Sequence, residues 1–379
     1  MSYVPDEVNL FLESPVSLAK LELAVIELPQ IKPFYSSIGV RHSRKALIVK
    51  WYTTEGVIGY GECSCRPDPF YSHEFVNGAI EVIQSYVYPQ IKRANSYRQV
   101  LDLLSKIRGW NFTKAAVEMA MNDAIRRSTG KGILEHWNRK HLERVPVGIS
   151  MGLFSDGATM DESISSAIHE GYQRLKFKIS PTYDHPFVFR NIESCDHPNT
   201  SFDANGSFKE SDFEELKKFA SLGKIIEQPF APGSYYLKEE YEFANSPLHI
   251  CLDEEVETLG QLIEHKDQFA ELNVKPGRVG GLLNTIEIIE FCMKYSIPVW
   301  IGGMFETGIG RAQNLQIASF LTEAKAHDQS PSNRYFTRDV LKQPVEMQDG
   351  FIDGSYFYKP EIDEIAFKEL TVKLLSLES

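Results

Sequence analysis

Short apolar runs recur along the chain from about residue 145 onward. Each run is rich in β-branched residues and is followed by a polar stretch long enough to form a helix, which is the pattern of alternating strands and helices. Seven runs are clear and an eighth is fainter; they cover residues 145–150, 174–180, 200–204, 224–230, 248–255, 270–277, 297–303 and 326–329. The pattern predicts a parallel sheet whose strands are connected by helices.

The spacing of the runs predicts how this sheet is arranged. The residues that mark the ends of the second to seventh runs lie 22 to 28 residues apart; they are Lys178, Asp203, Glu227, Asp253, Lys275 and Gly303. Regular repetition of a strand and a helix, seven or eight times, favours a closed parallel barrel. An open, doubly wound sheet is the alternative that this spacing leaves open.

The first 130 residues have a different pattern. Alternating apolar and polar positions between residues 18 and 62 are followed by helical patterns in residues 73–129. Antiparallel strands followed by helices predict an α+β domain. We therefore expect an α+β domain at residues 1–130 and a barrel at residues 131–349, with residues 350–379 completing the first domain.

Composition and charge narrow the class of protein. A chain of 379 residues, 42% of them apolar, can bury a substantial core. Because the net charge is −12 and no run is rich in lysine or arginine, we expect no nucleic acid as a partner. Glu13, Lys20 and Glu22 interrupt the apolar stretches near the N-terminus, which predicts neither a signal peptide nor a membrane span and favours a cytoplasmic location.

Cysteine and histidine patterns do not indicate a zinc site. The five cysteines are an odd number, and Cys63 with Cys65 forms a C-x-C motif that has no second pair at metal-site spacing. The ten histidines are scattered along the chain. We therefore expect the cysteines to be free, buried thiols. We expect the histidines to be surface residues or structural residues, not metal ligands.

Charged side chains end five successive predicted strands. They are Lys176 and Lys178, Asp203, Glu227, Asp253, and Lys275. Charge is disfavoured on buried parallel strands, whose positions are normally valine, isoleucine or leucine. Barrel enzymes carry their working residues at the carboxyl ends of the strands. The pattern therefore predicts an active site at this end of the barrel.

The three carboxylates of this set indicate a metal site. Asp203, Glu227 and Asp253 end adjacent strands, so their side chains can converge on one point above the barrel. Ligation by oxygen alone selects a hard cation, for which Mg²⁺ fits better than Zn²⁺, while Ca²⁺ or Mn²⁺ stays open. The alternative is that each carboxylate caps the helix that follows its strand.

The lysines indicate acid–base chemistry. Lys176 and Lys178 are two residues apart and so point to the same side of a strand. Crowding of like charges beside a metal ion lowers the pKa of an ammonium group toward the working pH, where it can act as a base. Strands two and six of an eight-stranded barrel are opposite, which places Lys275 across the cavity from Lys178. A solvated strand edge is the alternative for a K-x-K motif taken alone.

Such an arrangement is suited to removing a proton next to a carboxylate. That proton is very weakly acidic, so the dianion that forms needs a divalent cation and ammonium groups close by. Two other classes remain open. One is a Schiff-base aldolase that uses Lys275 covalently; the other is a binding protein without catalytic activity.

Six strings in the barrel region closely resemble one family. They are LKFKIS, FDANGSF, IIEQPF, CLDEEVE, NVKPGRVGGL and IGGMFETGIGR, and they occur in this order. They resemble the muconate-lactonising subgroup of the enolase superfamily, and within it most closely the o-succinylbenzoate synthase and N-succinylamino acid racemase family. The resemblance covers residues 145–334 and, less specifically, GYGEC at residues 59–63. It implies an α/β fold, a (β/α)7β TIM-like barrel with an N-terminal α+β capping domain.

The resemblance also implies roles for the charged residues. Asp203, Glu227 and Asp253 would bind Mg²⁺, with Mn²⁺ as a substitute. Lys178 would be the general base and acid, and Lys275 its partner on the opposite face. In addition, the resemblance implies that Lys176 modulates Lys178 and the substrate carboxylate, while Asn205 and Glu254 support the ligands and lysines from behind.

Specificity is expected from the capping domain and from glycines. The resemblance implies that the loops at residues 33–44 and 63–73 shape the site, with Phe34 and Arg41 as candidates for substrate contact; anchoring of an exposed loop explains these two equally well. Gly302 and Gly303 are compatible with close approach of the backbone to a ligand, as is a helix N-terminus at residues 308–311 that could hold a carboxylate. A tight turn is the alternative.

The expected activity follows from the family. It is the dehydration of 2-succinyl-6-hydroxy-2,4-cyclohexadiene-1-carboxylate to o-succinylbenzoate, a step of menaquinone biosynthesis. The expected partner is thus a small-molecule carboxylate, and the expected assembly is a homo-oligomer. The alternative is racemisation of N-succinylamino acids, or another activity of the subgroup such as cycloisomerase or dipeptide epimerase. Epimerases carry D-x-D at the eighth strand, whereas Asp328 is followed here by Gln329 and Ser330, which disfavours that activity.

Overall fold

The structure is a computed structural model that describes residues 3–36, 39–181, 185–222, 224–234 and 249–378. Among these residues, the chain forms an antiparallel sheet of four strands, a parallel sheet of seven strands and a small sheet of two strands. The two larger sheets correspond to the two patterns of the sequence, alternating positions near the N-terminus and repeated apolar runs after residue 145.

The N-terminal part contains three strands and five α-helices. The strands are β1 (Lys20–Ser36), β2 (Gly39–Tyr52) and β3 (Ile58–Cys63). The helices are α1 (Asp6–Phe11), α2 (Val76–Val82), α3 (Tyr88–Ile91), α4 (Tyr97–Ser105) and α5 (Asn111–Thr129), with a π-helical turn at Ile83–Val87. β1 pairs antiparallel with β2, and β2 with β3, so the alternating pattern does form a meander of strands.

Two glycines let helix α5 pack directly on strand β3. A Cβ atom added at Gly59 would lie 2.1 Å from the carbonyl oxygen of Ala120, and one at Gly61 would lie 2.1 Å from that of Ala116. No side chain fits in either place, because real contacts of a Cβ atom are longer than 3 Å. The close packing holds strand β3, which carries Glu62, against helix α5.

The barrel part alternates strands and helices, as the apolar runs predicted. The strands are β4 (Arg144–Pro146), β5 (Ile149–Met151), β6 (Leu175–Lys178), β7 (Thr200–Asp203), β8 (Ile225–Glu227), β9 (His249–Leu252), β10 (Glu271–Val274) and β11 (Val299–Ile301). The helices are α6 (Gly157–His169), α7 (His185–Glu193), α8 (Phe213–Ala220), α9 (Leu259–His265), α10 (Leu282–Lys294) and α11 (Gly308–Ala318). Single 3₁₀ turns lie at Leu134–His136, Glu210–Asp212 and Ser332–Arg334.

The eighth run closes the parallel sheet. Strands β5 to β11 pair in sequential order, and Val147, just before β5, forms a parallel bridge with His327. On the other side of the eighth run, the N–H of Asp328 donates to the carbonyl oxygen of Ile301 at 3.0 Å. The α/β fold is therefore a (β/α)7β TIM-like barrel with an N-terminal α+β capping domain, as predicted, and the alternative of an open sheet is wrong.

The register of the parallel strands aligns the charged residues at the end of the barrel. Lys178 on β6 is the register partner of Asp203 on β7, and Asp203 is the partner of Glu227 on β8. Asp253 follows directly after β9, and Lys275 directly after β10. Residues that are far apart in the chain thus lie side by side at the carboxyl edge of the sheet.

The C-terminal segment divides between two places. Strand β12 (Phe351–Asp353), followed by a 3₁₀ turn at Gly354–Tyr356, pairs antiparallel with β4. Helix α12 (Glu364–Leu370) leads into strand β13 (Thr371–Glu378), which pairs antiparallel with β1. The last strand therefore extends the N-terminal sheet, while the domain boundaries near residues 130 and 349 stay predictions.

Two buried carboxylates attach the capping domain to barrel helices. Glu62 at the end of β3 accepts hydrogen bonds from the N–H of Thr307, at 3.0 Å, and from its hydroxyl group, at 2.7 Å. Glu118 in α5 accepts from the N–H groups of Leu282 and Leu283, at 2.8 and 3.0 Å. Each carboxylate thereby caps the N-terminus of a helix in the other domain, α11 or α10.

All five cysteines are free thiols, as predicted; four of them are also buried, whereas Cys195 is half-buried. The sulfur atoms of Cys63 and Cys65 lie 3.5 Å apart. Among the described residues, none of the helices has the length and the apolar character needed to cross a membrane.

Candidate active site

A cavity of about 570 Å³ lies where the capping domain covers the carboxyl end of the barrel. Its wall on the capping side includes Arg66 and Tyr71. On the barrel side it is lined by Lys178, Asp203 and Lys275, among other residues. The cavity therefore lies where the charged strand ends predicted an active site.

The three predicted metal ligands are buried and are held by hydrogen bonds or ion pairs. Asp203, Glu227 and Asp253 are at most 3% exposed. The Nδ2 group of Asn273 donates to Oε1 of Glu227 at 2.8 Å, which fixes the orientation of this carboxylate. Arg278 lies with Nη2 at 2.6 Å from Oδ1 of Asp253. None of the three carboxylates caps a helix in these contacts, unlike Glu62 and Glu118.

The carboxylates affect one another electrostatically. Burial, together with the negative charges of Asp203 and Asp253, raises the pKa of Glu227 to about 8. Burial acts in the same direction on Asp253, but the cationic groups of Arg278 and Lys275 outweigh it and hold the pKa of this carboxyl below its usual range. The site thus concentrates negative charge that needs cations nearby.

This donor set fits a hard divalent cation. Buried carboxylate oxygens on three successive strands are the ligands that Mg²⁺ prefers, and no softer donor is among them. Among the described residues, no three acidic, histidine or cysteine side chains are arranged so that they could hold a metal ion. Lysine ammonium groups instead lie between these carboxylates, so the assignment of Asp203, Glu227 and Asp253 as ligands stays a prediction.

The two predicted acid–base lysines are on strands separated by three others. Lys178 at the end of β6 donates to Oδ2 of Asp203 at 2.8 Å. Lys275, after β10, donates to Oδ2 of Asp253 at 2.7 Å. Because β7, β8 and β9 lie between these strands, the two ammonium groups flank the carboxylates from opposite sides of the barrel.

Lys176 is buried below Lys178 and is surrounded by carboxylates. Its Nζ atom lies 2.7 Å from Oε2 of Glu227 and 3.4 Å from Oδ2 of Asp203, and it also contacts Oδ2 of Asp328. Burial alone would lower the pKa of Lys176, but these three carboxylates raise it well above its usual value. The pKa of Lys275 is raised in the same way, since Asp253 outweighs the effect of burial. The lowered pKa expected for Lys176 requires a metal ion beside it, so it stays a prediction.

Asn205 and Glu254 connect the two lysines, as supporting residues would. Lys178 contacts Oδ1 of Asn205, whose Nδ2 group donates to Oε1 of Glu254 at 3.3 Å. The hydroxyl group of Tyr71, from the capping domain, donates to the same oxygen at 3.2 Å and accepts from Lys275 at 3.4 Å. A chain of hydrogen bonds therefore runs from one lysine through the capping domain to the other.

The glycine pair has two different roles. A Cβ atom at Gly302 would lie 2.1 Å from Oδ1 of Asn273, the residue that orients Glu227. Gly303 lines the cavity, where a Cβ atom would lie 2.7 Å from the carbonyl oxygen of Asp328. Gly303 is therefore placed for close approach of a ligand, whereas Gly302 makes room for Asn273.

The helix N-terminus at residues 308–311 does not offer a place for the carboxylate of a ligand. The N–H of Gly308 donates to Oδ1 of Asp339 at 2.8 Å, and the N–H of Gly310 donates to Oε2 of Glu62 at 3.2 Å. The expectation that a ligand binds there is wrong, because carboxylates of the protein already occupy it.

Phe34 and Arg41 are the two residues of the capping domain that were predicted as candidates for substrate contact. The backbones of Phe34 and Arg41 are register partners in the β1–β2 hairpin, but their side chains lie outside the described residues, so their contact with substrate stays a prediction. Arg278, three residues after Lys275, is 3% exposed and pairs with Asp253.

Several residues at the site were not selected from the sequence. They are Tyr71, Arg174, Asn273, Trp300 and, as part of the site, Asp328. Alternation along a strand could have indicated two of them, because Arg174 precedes Lys176 by two residues and Asn273 precedes Lys275 by two. Trp300 lies on strand β11, where an apolar residue is expected in any case. Tyr71 comes from a loop and Asp328 from the faint eighth run, where no such periodicity exists.

The fold and site together define a class of protein, and comparison with known families agrees. The model of the mandelate racemase / muconate lactonizing enzyme N-terminal domain matches residues 20–135, and that of the enolase C-terminal domain-like family matches residues 159–355. The chain therefore belongs to the enolase superfamily, in the mandelate racemase and muconate lactonizing enzyme group. Members of this superfamily depend on Mg²⁺ in general.

Individual relatives are named for two activities. The chain is 31% identical to an o-succinylbenzoate synthase of Listeria innocua, over 87% of this chain and 89% of the relative. It is also 31% identical to an N-succinylamino acid racemase of an Amycolatopsis species, over 89% of this chain and 92% of the relative. A solved structure of an enolase superfamily member from Listeria innocua is similar, with a TM-score of 0.87, 29% identity, and coverage of 96% of this chain and 99% of that chain.

Proposed function

We propose that this enzyme is an o-succinylbenzoate synthase, which dehydrates 2-succinyl-6-hydroxy-2,4-cyclohexadiene-1-carboxylate in a reaction that depends on Mg²⁺. One observation carries the proposal: Lys178 and Lys275 line the same cavity from opposite strands, with three buried carboxylates between them. Similarity to relatives with this name over most of the chain supports the choice of substrate.

The chemistry divides among the groups at the mouth of the barrel. A divalent cation held by Asp203, Glu227 and Asp253 would supply positive charge to the substrate carboxylate. Lys178, in its neutral form, takes the proton from the ring carbon that bears this carboxylate. The hydroxyl group on the neighbouring carbon leaves, and together with the proton it accounts for the one water that is lost.

The two remaining lysines supply charge in this reaction. Lys275 faces the ring from the opposite side, where its ammonium group stabilises the negative charge that develops. Lys176, in contact with Glu227, Asp203 and Asp328, stays protonated and contributes a fixed positive charge below the substrate. Tyr71 and Glu254 hold Lys275 and Lys178 in one hydrogen-bonded arrangement.

The proposal is tested by following the dehydration through ultraviolet absorbance, once with Mg²⁺ and once with EDTA. Rapid turnover that is lost on chelation would establish the synthase activity. Absence of turnover with Mg²⁺ present would reject it and would favour the second activity.

The second candidate is racemisation of N-succinylamino acids. It is favoured by the opposed placement of Lys178 and Lys275, because two-base racemisation needs an acid–base group on each face of the α-carbon, and by the relatives named for this activity. Exchange of the α-hydrogen in deuterated water distinguishes the two. Loss of exchange in both Lys178→Ala and Lys275→Ala supports racemisation, whereas loss of dehydration mainly in Lys178→Ala supports the synthase.

The biological setting is part of the proposal. The substrate places the enzyme in menaquinone biosynthesis, with a cytoplasmic location and a homo-oligomeric state as further predictions. Analytical ultracentrifugation of the purified protein tests the oligomeric state. Dipeptide epimerase activity is less favoured, since Asp328 is followed by Gln329 and Ser330 and is engaged by Arg174 and Lys176 within the barrel.

A further inference from the structure

A buried column of charge lies inside the barrel beneath the proposed metal ligands. Lys176 and Lys178 lie two residues apart on strand β6, and Arg174, which directly precedes the strand, continues the same alternation. Asp328, from the eighth run, connects the lower two: its Oδ1 atom lies 2.5 Å from Nη2 of Arg174, and its Oδ2 atom contacts Nζ of Lys176. Arg174 and Lys176 are 6% and 3% exposed, so solvent does not screen this contact.

Trp300 on strand β11 forms the apolar wall of this column. The Cζ atom of Arg174 lies 3.7 Å from the centre of a Trp300 ring, and Nζ of Lys176 lies 4.9 Å from it. Both cations are thus placed over the face of one ring, where cation–π attraction is favourable. The ring thus bounds Lys176 on one side, while three carboxylates lie within ion-pair distance of its Nζ atom.

Lys176 is shared between two kinds of carboxylate. On one side are Glu227 and Asp203, at 2.7 and 3.4 Å, which are proposed metal ligands. On the other side is Asp328. Among the described residues, it is the one carboxylate in contact with Lys176 that has no proposed role in metal binding. A divalent cation on Glu227 and Asp203 repels an ammonium group at these distances, since a buried site screens charge poorly. Lys176 therefore needs another partner when the cation is bound.

We propose that Asp328, backed by Arg174, is a positioning residue that takes over Lys176 from Glu227 and Asp203 when a divalent cation binds, and so sets the affinity of the site for that cation. The inference rests on the metal ligands of the proposed function, but not on the identity of the substrate. Without Asp328, Lys176 keeps its ion pairs with Glu227 and Asp203 and competes with the cation for them.

The test is calorimetric titration of the purified protein with MgCl₂, without substrate. Four forms are compared: wild type, Asp328→Asn, Lys176→Met and the double variant. We expect Asp328→Asn to weaken Mg²⁺ binding by about tenfold or more, as is typical for residues that orient metal ligands. In the Lys176→Met background, the same substitution should change the affinity by no more than about twofold, because its effect acts through the lysine.

A matched control comes from another buried carboxylate. Asp339, at 4% exposure, caps helix α11 through the N–H of Gly308 and makes no contact with Lys176. Asp339→Asn should therefore leave the affinity for Mg²⁺ unchanged. Equal loss in Asp339→Asn would show that any buried negative charge has this effect, and it would overturn the proposal.

Other outcomes distinguish the possible failures. If Asp328→Asn weakens binding equally in the presence and absence of Lys176, Asp328 acts on the cation directly and the inference is wrong. Lys176→Met keeps the test valid even where Asp328→Asn does not fold: it should bind Mg²⁺ at least as tightly as wild type, and weaker binding contradicts competition. Wild-type protein that binds no Mg²⁺ rejects the proposed metal site as well, whereas normal binding in Asp328→Asn rejects this inference alone.

Discussion

Two regions of the molecule contain buried carboxylates, and the difference lies in their partners. At the seam between the domains, Glu62 and Glu118 accept hydrogen bonds from backbone N–H groups at helix N-termini. At the mouth of the barrel, Asp203, Glu227 and Asp253 face lysine and arginine side chains. Backbone partners cannot move or change charge, so the seam stabilises the fold. Lysine partners can exchange with a cation or transfer a proton, so the mouth is suited to chemistry.

The comparison shows that burial alone does not identify functional residues. Burial raises the pKa of Glu62 to about 8 and that of Glu118 to about 7, and Glu227 at the mouth reaches about 8 as well. Similar shifts thus occur in both regions. Glu227 differs from Glu62 and Glu118 in its neighbours, which are two more carboxylates on neighbouring strands and the ammonium groups between them.

Lys178→Ala should have the largest effect. Removing the base of the barrel mouth should lower kcat for dehydration by a factor of about 10² to 10⁴, the usual contribution of general acid–base catalysis. Steady-state assays of the variant would measure it. Lys217→Ala, which removes an exposed lysine on helix α8, serves as the control and should leave kcat unchanged. Near-normal turnover in Lys178→Ala would place the base elsewhere.

Glu227→Gln should separate metal binding from stability. Loss of the ligand charge should weaken Mg²⁺ binding by more than the approximately 10- to 100-fold seen for residues that only orient metal ligands. Titration calorimetry measures the affinity, and thermal unfolding without metal should show a melting temperature close to that of wild type. Unchanged affinity would remove Glu227 from the set of ligands.

Glu62→Ala should show the opposite behaviour at the seam. Leaving the buried donors of Thr307 and Gly310 without a partner should lower the free energy of unfolding by about 1–3 kcal/mol. Urea unfolding measures this loss, and Mg²⁺ affinity of the folded variant should stay the same. Glu214→Gln, an exposed carboxylate on α8, should alter neither quantity.

The same residue should give stability a dependence on pH. The pKa of Glu62 is about 8 in the folded protein, against about 4.3 for an unfolded chain. Between these values the folded state binds more protons, so the contribution of Glu62 to stability falls as pH rises and is lost above about pH 8. Glu62→Gln should flatten this slope in urea unfolding from about pH 5 to pH 8. A slope identical to that of wild type would contradict this account of Glu62.

Tyr71→Phe should have the smallest effect, because it removes only one hydroxyl group at the barrel mouth. The variant loses the hydroxyl group that donates to Glu254 and accepts from Lys275, while the ring remains. Since a single hydrogen bond contributes about 0.5–1.5 kcal/mol, kcat should fall about two- to tenfold. Tyr86→Phe, at an exposed position of the capping domain, is the matched control. Equal kinetics for both variants would mean that Tyr71 does not position Lys275.

Much of the fold and of the barrel mouth could be predicted from the chain. The regular spacing of apolar runs indicated the barrel, and charges at the ends of strands β6 to β10 indicated the site, because both depend on local periodicity. The pairing of Asp328 with Lys176 could not be predicted, since it requires closure of the barrel by a run with little strand character. The capping roles of Glu62 and Glu118 could not be predicted for a similar reason, because their partners lie more than 150 residues away in the chain.

The most direct test of the central claim compares the cyclohexadiene carboxylate carrying hydrogen or deuterium at its α-carbon, in single-turnover dehydration with Mg²⁺. We expect the wild-type protein to convert the deuterated substrate more slowly, and Lys178→Ala to convert both forms at least about 10²-fold more slowly than wild type. Such a result would show that breaking the α-carbon bond to hydrogen limits the reaction and that Lys178 accepts the proton. Equal rates of conversion by wild type and Lys178→Ala would contradict the account.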